Sequence, residues 1–154
     1  MDLPMLLRPE GIRLFSDVTS KKRLMQRVAD VAEEIVRLPA GQIFHALQER
    51  ESLGPTGVGH GVALPHARLP ELTQVNGIFL KLDKPVDFES VDRQPVDLVF
   101  ALFAPAETGA DHLKALALVS RTLRDEALCA KLRANADPTV LHTLLTCGEA
   151  TQAA

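Results

Sequence analysis

The stretch Pro95-Val96-Asp97-Leu98-Val99-Phe100-Ala101-Leu102-Phe103-Ala104-Pro105 decides the fold class. Between its two prolines every residue except Asp97 is apolar. A strand with one face in water alternates polar and apolar residues, whereas a strand covered on both faces reads as a continuous apolar run. This segment therefore needs a layer of other elements on each side of it.

The elements outward from it can supply those layers. Val75 to Leu82 reads as a second strand, with Ile78 and Leu80 on one face and Phe79 on the other. Upstream, Leu24, Met25, Val28, Val31, Ala32, Ile35 and Val36 recur at helical spacing. Ser20 is the N-cap of that helix, which ends near Leu38-Pro39 because the residue before proline is pushed out of the helical region. A further helix from about Gly41 to Arg50 buries Ile43, Phe44 and Leu47. Downstream, Asp111 is expected to open a helix through about Leu123, with Leu113, Leu116, Ala117 and Leu123 inward. Asp125 caps a helix to Arg133, and Asp137-Pro138 is a cap followed by proline at the first helical position. The last helix carries Val140, Leu141, Leu144 and Leu145. Residues 1–19 read as an irregular lead-in with a short strand. Helices before and after a group of strands give an α/β sandwich of one domain, residues 1–150, with 151–154 as a frayed tail.

Composition narrows the function. The chain has 154 residues, 46% hydrophobic and 24% charged, and a net charge of -3. It has no Trp or Tyr and six Phe, so neither the basic surplus nor the aromatic platforms of a nucleic-acid binder are present. No apolar run approaches the roughly 20 residues of a membrane-spanning helix, so no membrane insertion is expected. The opening Met1 to Arg8 lacks the basic and long apolar regions of a signal peptide. Two cysteines are too few for a disulfide framework, and Cys129 reads as a small buried hydrophobe. The expected compartment is the cytoplasm.

The chemistry centres on Gly54-Pro55-Thr56-Gly57-Val58-Gly59-His60-Gly61, four glycines in eight residues, followed by Val62-Ala63-Leu64-Pro65-His66. No G-x-G-x-x-G or G-K-[ST] is present, and Pro65 interrupts the helix start that a nucleotide loop needs. His66 is delivered at the end of a short strand by a stiff proline, where an imidazole can be base, ligand or nucleophile. A zinc site of His60, His66 and His112 is the rival reading, but it lacks H-E-x-x-H spacing and a cysteine pair. His45 and His142 lie in helical patterns and read as structural or exposed.

The stretch Leu47-Gln48-Glu49-Arg50-Glu51-Ser52-Leu53-Gly54-Pro55-Thr56-Gly57-Val58-Gly59-His60-Gly61-Val62-Ala63-Leu64-Pro65-His66-Ala67-Arg68 resembles the active-site signature of fructose/mannitol-type enzyme IIA. These are phosphohistidine-carrying domains of the bacterial phosphoenolpyruvate-dependent phosphotransferase system. The similarity continues through Gln94 to Leu102 and Asp111-His112-Leu113, and covers residues 6–146. Within the family, Leu6-Leu7-Arg8-Pro9-Glu10-Gly11-Ile12 and Ser20-Lys21-Lys22-Arg23 are similar to the nitrogen-regulatory branch. Pro55 departs from the pattern, in which a small hydroxyl residue precedes the Thr-Gly pair.

The resemblance implies a mixed β-sheet flanked by helices on both sides. It implies that His66 takes the phosphoryl group on Nε2, that His112 is a second active-site histidine, and that Arg50 contacts phosphoryl oxygens. The donor would be an HPr-like phosphocarrier, the nitrogen-branch paralogue, and phosphorylation would decide which regulated target proteins bind. No metal or organic cofactor is implied. Two alternatives remain: a sugar-specific enzyme IIA that passes phosphate to a IIB domain, and a binding module that is never phosphorylated. Lys21, Lys22 and Arg23 oppose the helix dipole and read as a solvated basic patch, with partner docking as the other possibility.

Overall fold

The computed structural model describes residues 1–107 and 109–153, with side chains as far as Cys147. The elements in order are α1 (Leu3–Leu6), β1 (Leu7–Phe15), α2 (Lys21–Val36), α3 (Ala40–Glu51), β2 (Gly57–Gly59) and β3 (Val62–Ala63). They are followed by β4 (His66–Arg68), β5 (Asn76–Val86), β6 (Val96–Ala104), α4 (Gly109–Leu123), α5 (Glu126–Ala134) and α6 (Pro138–Ala153). The sheet is open and mixed, in the order β1-β5-β6-β3-β2, with β4 also paired to β6. β1 runs parallel to β5, β3 and β4 run parallel to β6, and the β5–β6 and β2–β3 pairs are antiparallel.

β6 is the interior strand that its apolar run requires. Val99, Ala101 and Phe103 enter a cluster with Ile78, Leu80 and the inner faces of α2 and α3. Leu98, Phe100, Leu102 and Ala104 enter the opposite cluster with Phe79 and residues of α1, α4, α5 and α6. Successive side chains on a strand point to opposite faces, so one unbroken apolar sequence feeds both layers.

The local caps follow the sequence. Ser20 Oγ accepts from Arg23 N at 3.1 Å, and Asp125 Oδ1 accepts from Ala127 N at 3.0 Å and Leu128 N at 3.1 Å. Asp137 Oδ1 accepts from Thr139 N at 2.9 Å, with Pro138 opening α6. These bonds satisfy N–H groups that a first helical turn leaves without partners.

Two expectations are corrected. The lead-in is a short helix and a nine-residue strand, β1. Pro9 is tolerated there because β1 lies at the sheet edge, and the register shifts between Leu7 and Ile12. Helix α4 begins at Gly109, so Asp111 sits inside the first turn rather than capping it. The inner face of α4 is His112, Ala115, Leu118, Val119, Thr122 and Leu123, while Leu113 is 66% exposed. Leu113, Ala115, Leu116, Ala117, Leu118 and Val119 make both faces of α4 apolar in sequence, so periodicity alone could not choose its phase. Helix α6 runs through Ala153 into the segment expected as a tail; Ala154 lies outside the described residues.

Candidate active site

Pro65 separates β3 from β4, two short strands that follow one another along β6. It has no N–H to donate, while its carbonyl accepts from Leu102 N at 3.0 Å. His66 is then the first residue of β4, paired with Leu102, so it opens a strand rather than following the end of one. Because β4 lies beside β6 alone, the end of α3 from one layer and the first turn of α4 from the other both reach it.

The surroundings of His66 fix its tautomer. Nδ1 lies 2.9 Å from the Leu64 carbonyl, which can only accept, so Nδ1 carries the proton. Nε2 accepts from Arg50 Nε at 3.2 Å and therefore holds the lone pair. Arg50, in the last turn of α3, also donates from Nη1 to the Gly54 carbonyl at 3.0 Å. Burial pushes the His66 pKa below the ordinary histidine value; the Leu64 bond opposes that shift, Arg50 adds to it, and Glu51 opposes it. The ring is neutral at pH 7.

His112 stands edge-on to His66, with ring centroids 5.4 Å apart and planes at 74°. It is 5% exposed, and its Nε2 has no hydrogen-bond partner among the described residues. Burial first, then His66 and Arg68, lower its pKa to about 4. The two histidines and Arg50 share a cleft of about 460 Å³ with Ala46, Leu53, Arg68 and Leu116. Leu53, 83% exposed, and Leu113 stand at its rim.

The structure brings His66, His112 and Arg50 together and leaves the other histidines apart. His60 adopts the left-handed conformation, φ 57°, and lines a different cavity of about 370 Å³ with Val62, Cys129 and Arg133. Among the described residues no three His, Cys, Asp or Glu side chains are grouped to hold a metal ion. His45 is exposed beside Glu49, and His142 Nε2 lies 3.1 Å from the Leu7 carbonyl. Cys129 is buried, and its thiol donates to the Leu123 carbonyl.

Arg68 was missed. Its Nη1 donates to Ala106 O at 2.8 Å, and its guanidinium lines the cleft. The signal was available, since residues two apart on a strand share a face and Arg68 is two after His66.

The glycine loop serves the protein's own packing. A Cβ on Gly57 would lie 2.1 Å from Ser90 Oγ, and one on Gly61, at φ +80°, would lie 2.5 Å from Arg133 Nη2. Arg133 is itself fixed by Asp97 and by the His60 carbonyl, each contacted by its Nη2. Close approach and positive φ both occur here, against side chains of the same domain.

The family described as "Phosphoenolpyruvate-dependent sugar phosphotransferase system, EIIA 2" matches residues 5–147. The Nitrogen regulatory protein of Bradyrhizobium diazoefficiens is 47% identical over 153 residues, covering 99% of this chain and 100% of the relative. The crystal structure of Nitrogen Regulatory Protein IIA-Ntr from Neisseria meningitidis has a TM-score of 0.87 and 32% identity, covering 92% of this chain and 97% of that one. IIA mannitol from Escherichia coli shares the fold with a TM-score of 0.76 at 19% identity, over 90% of this chain and 97% of the other. No helix among the described residues is long and apolar enough to cross a membrane.

Proposed function

This chain belongs to the EIIA 2 family of the phosphoenolpyruvate-dependent sugar phosphotransferase system, and we propose that it is a nitrogen-regulatory phosphocarrier whose acceptor atom is His66 Nε2. The observation that carries the reading is the divided use of the His66 ring. Nδ1–H is tied to Leu64 O, so the nucleophilic lone pair lies on Nε2, which faces Arg50 and the cleft.

In the proposed step, the Nε2 lone pair attacks the phosphorus of a donor phosphohistidine. The N–P bond to the donor breaks, its electron pair returns to the donor imidazole, and a new Nε2–P bond forms on His66. The Nδ1 proton stays in its bond to Leu64 O throughout. The transition state is loose, so positioning and charge stabilisation carry most of the catalysis. Arg50 turns its planar fork from Nε2 to the arriving phosphoryl oxygens. His112 supplies a further donor from its unpartnered Nε2, beside the first-turn N–H groups of α4 that favour an anion.

The donor is an HPr-like phosphocarrier of the nitrogen branch, seated against the rim formed by Leu53 and Leu113. The output is regulatory: phosphorylated and unphosphorylated His66 present different charges to target proteins in the cytoplasm. The 47% identity to a nitrogen regulatory protein favours this branch over a sugar-delivering one. Residues 1–150 act as one working domain, with 151–154 outside it. Incubation with phosphoenolpyruvate, enzyme I and an HPr-type carrier tests the proposal. One acid-labile phosphate per chain at His66 is expected, and an unlabelled protein or a phosphate mapped elsewhere would overturn it.

A further inference from the structure

Lys21 opens α2, where the helix dipole already places partial positive charge. It is not part of a solvated patch. Its side chain is 19% exposed, its ammonium lies 3.0 Å from Glu51 Oε2, and it sits 4.5 Å from the centroid of the Phe88 ring. Lys22 and Arg23, by contrast, are exposed.

The Glu51 side chain is 6% exposed, a costly place for a carboxylate unless cations and donors surround it. They do. Oε2 accepts from Thr56 N at 2.8 Å as well as facing Lys21, and Oε1 accepts from Thr56 Oγ1 at 2.6 Å. Glu51 thereby closes the 51–56 loop that leaves α3 immediately after Arg50.

Both groups that hold the His66 ring trace back to this loop. Gly54 O, inside it, anchors Arg50 Nη1, and Arg50 Nε meets His66 Nε2. Thr56 O, at its end, accepts from Leu64 N at 2.9 Å, and Leu64 O accepts a hydrogen bond from His66 Nδ1–H. A buried ion pair is poor evidence of stability, because desolvation offsets much of the attraction. Here it sits at the loop to which both hydrogen bonds of one imidazole trace back.

We propose that Lys21 and Glu51 are positioning residues, which act through Thr56 and Gly54 to hold Arg50 and His66 in transfer geometry. This deepens the phosphocarrier reading and rests on it for its kinetic consequence alone.

The test uses the full chain with Lys21→Met, Lys21→Arg and Thr56→Val. Thr56→Val deletes only the hydroxyl bond to Glu51. Two readouts are taken: the rate of phosphoryl uptake from phosphoenolpyruvate, enzyme I and an HPr-type carrier, and the ¹⁵N resonance of His66 Nε2. Lys21→Met should slow uptake by roughly tenfold or more, the scale of one displaced charge-assisted hydrogen bond. The label should stay on His66, and the Nε2 resonance should move toward that of a ring without a donor on Nε2. Lys21→Arg, which keeps the cation, should recover most of both. A lowered melting temperature with wild-type rate and resonance would reduce the pair to a structural brace and overturn the proposal. A slowed rate with an unshifted resonance would overturn it as well. Should Lys21→Met fail to fold, Thr56→Val decides by the same two readouts. If the wild-type chain takes no label, the phosphocarrier reading fails, while the resonance still decides whether Lys21 positions Arg50.

Discussion

His66 and His112 come from opposite sides of α4's N-terminal boundary, one on an edge strand and one on the helix, and their rings meet edge to face at 5.4 Å. Burial lowers the pKa of both, so at neutral pH the pair carries no charge of its own. In the proposed transfer, an incoming phosphoryl group would meet two neutral imidazoles and the cation Arg50.

The acceptor assignment predicts that His66→Ala abolishes phosphoryl uptake. His45→Ala and His142→Ala should label normally, because neither ring reaches the cleft. His142→Ala should also lose about 1 kcal/mol of stability with its bond to Leu7 O. Radiolabelling with residue mapping checks the first outcome and thermal melting the second. Normal labelling of folded His66→Ala would refute the assignment.

Arg50→Lys keeps the charge but removes the Nε–H that meets His66 and the fork geometry. The expected loss in transfer rate corresponds to about 1–3 kcal/mol, with labelling still at His66. A rate equal to wild type would mean that charge alone matters at this position.

His112→Ala should label at His66 but transfer poorly, and His112→Gln should recover part of the rate because its amide still donates one hydrogen bond. Stopped-flow comparison of both variants with one donor checks this. An unlabelled His112→Ala combined with a labelled His66→Ala would exchange the two roles.

The pH dependence has a definite sign. As the proposed acceptor His66 would react as the neutral ring, and its pKa is lowered, so uptake should stay flat near pH 7 and fall only at pH values below 6.5. For His112 the folded value of about 4 lies below the ordinary histidine value of about 6.5, so the unfolded chain binds the extra proton between them. Stability from this group is complete above pH 6.5 and is lost as pH falls toward 4. Urea titrations of wild type and His112→Gln at pH 7 and pH 5 isolate that contribution. Equal pH slopes would contradict it.

Gly61→Ala should destabilise the fold by about 1–2 kcal/mol, because it imposes a left-handed Cβ and displaces Arg133. Gly109→Ala, where an added Cβ meets nothing within 4 Å, is the control and should be neutral or stabilising. Chemical denaturation of the two variants makes the comparison.

The sequence alone determined whatever depends on neighbours along the chain. The apolar run 96–104 demanded a strand covered on both faces, and the caps at Ser20, Asp125 and Asp137 lie where their side chains reach N–H groups two or three residues on. His66 stood out because glycines and a proline precede it, and Arg50 and His112 came from the family resemblance. Tertiary structure decided what depends on residues distant in sequence. Lys21 read as a solvated charge until Glu51, thirty positions later, was brought against it. The inward phase of α4 was set by packing on the sheet, since its sequence is apolar on both faces. The His66 tautomer was set by Leu64 on one side and Arg50 on the other. Caps and periodicity act over one or two turns, whereas a buried charge pair or ring orientation takes its energy from groups that only the folded chain assembles.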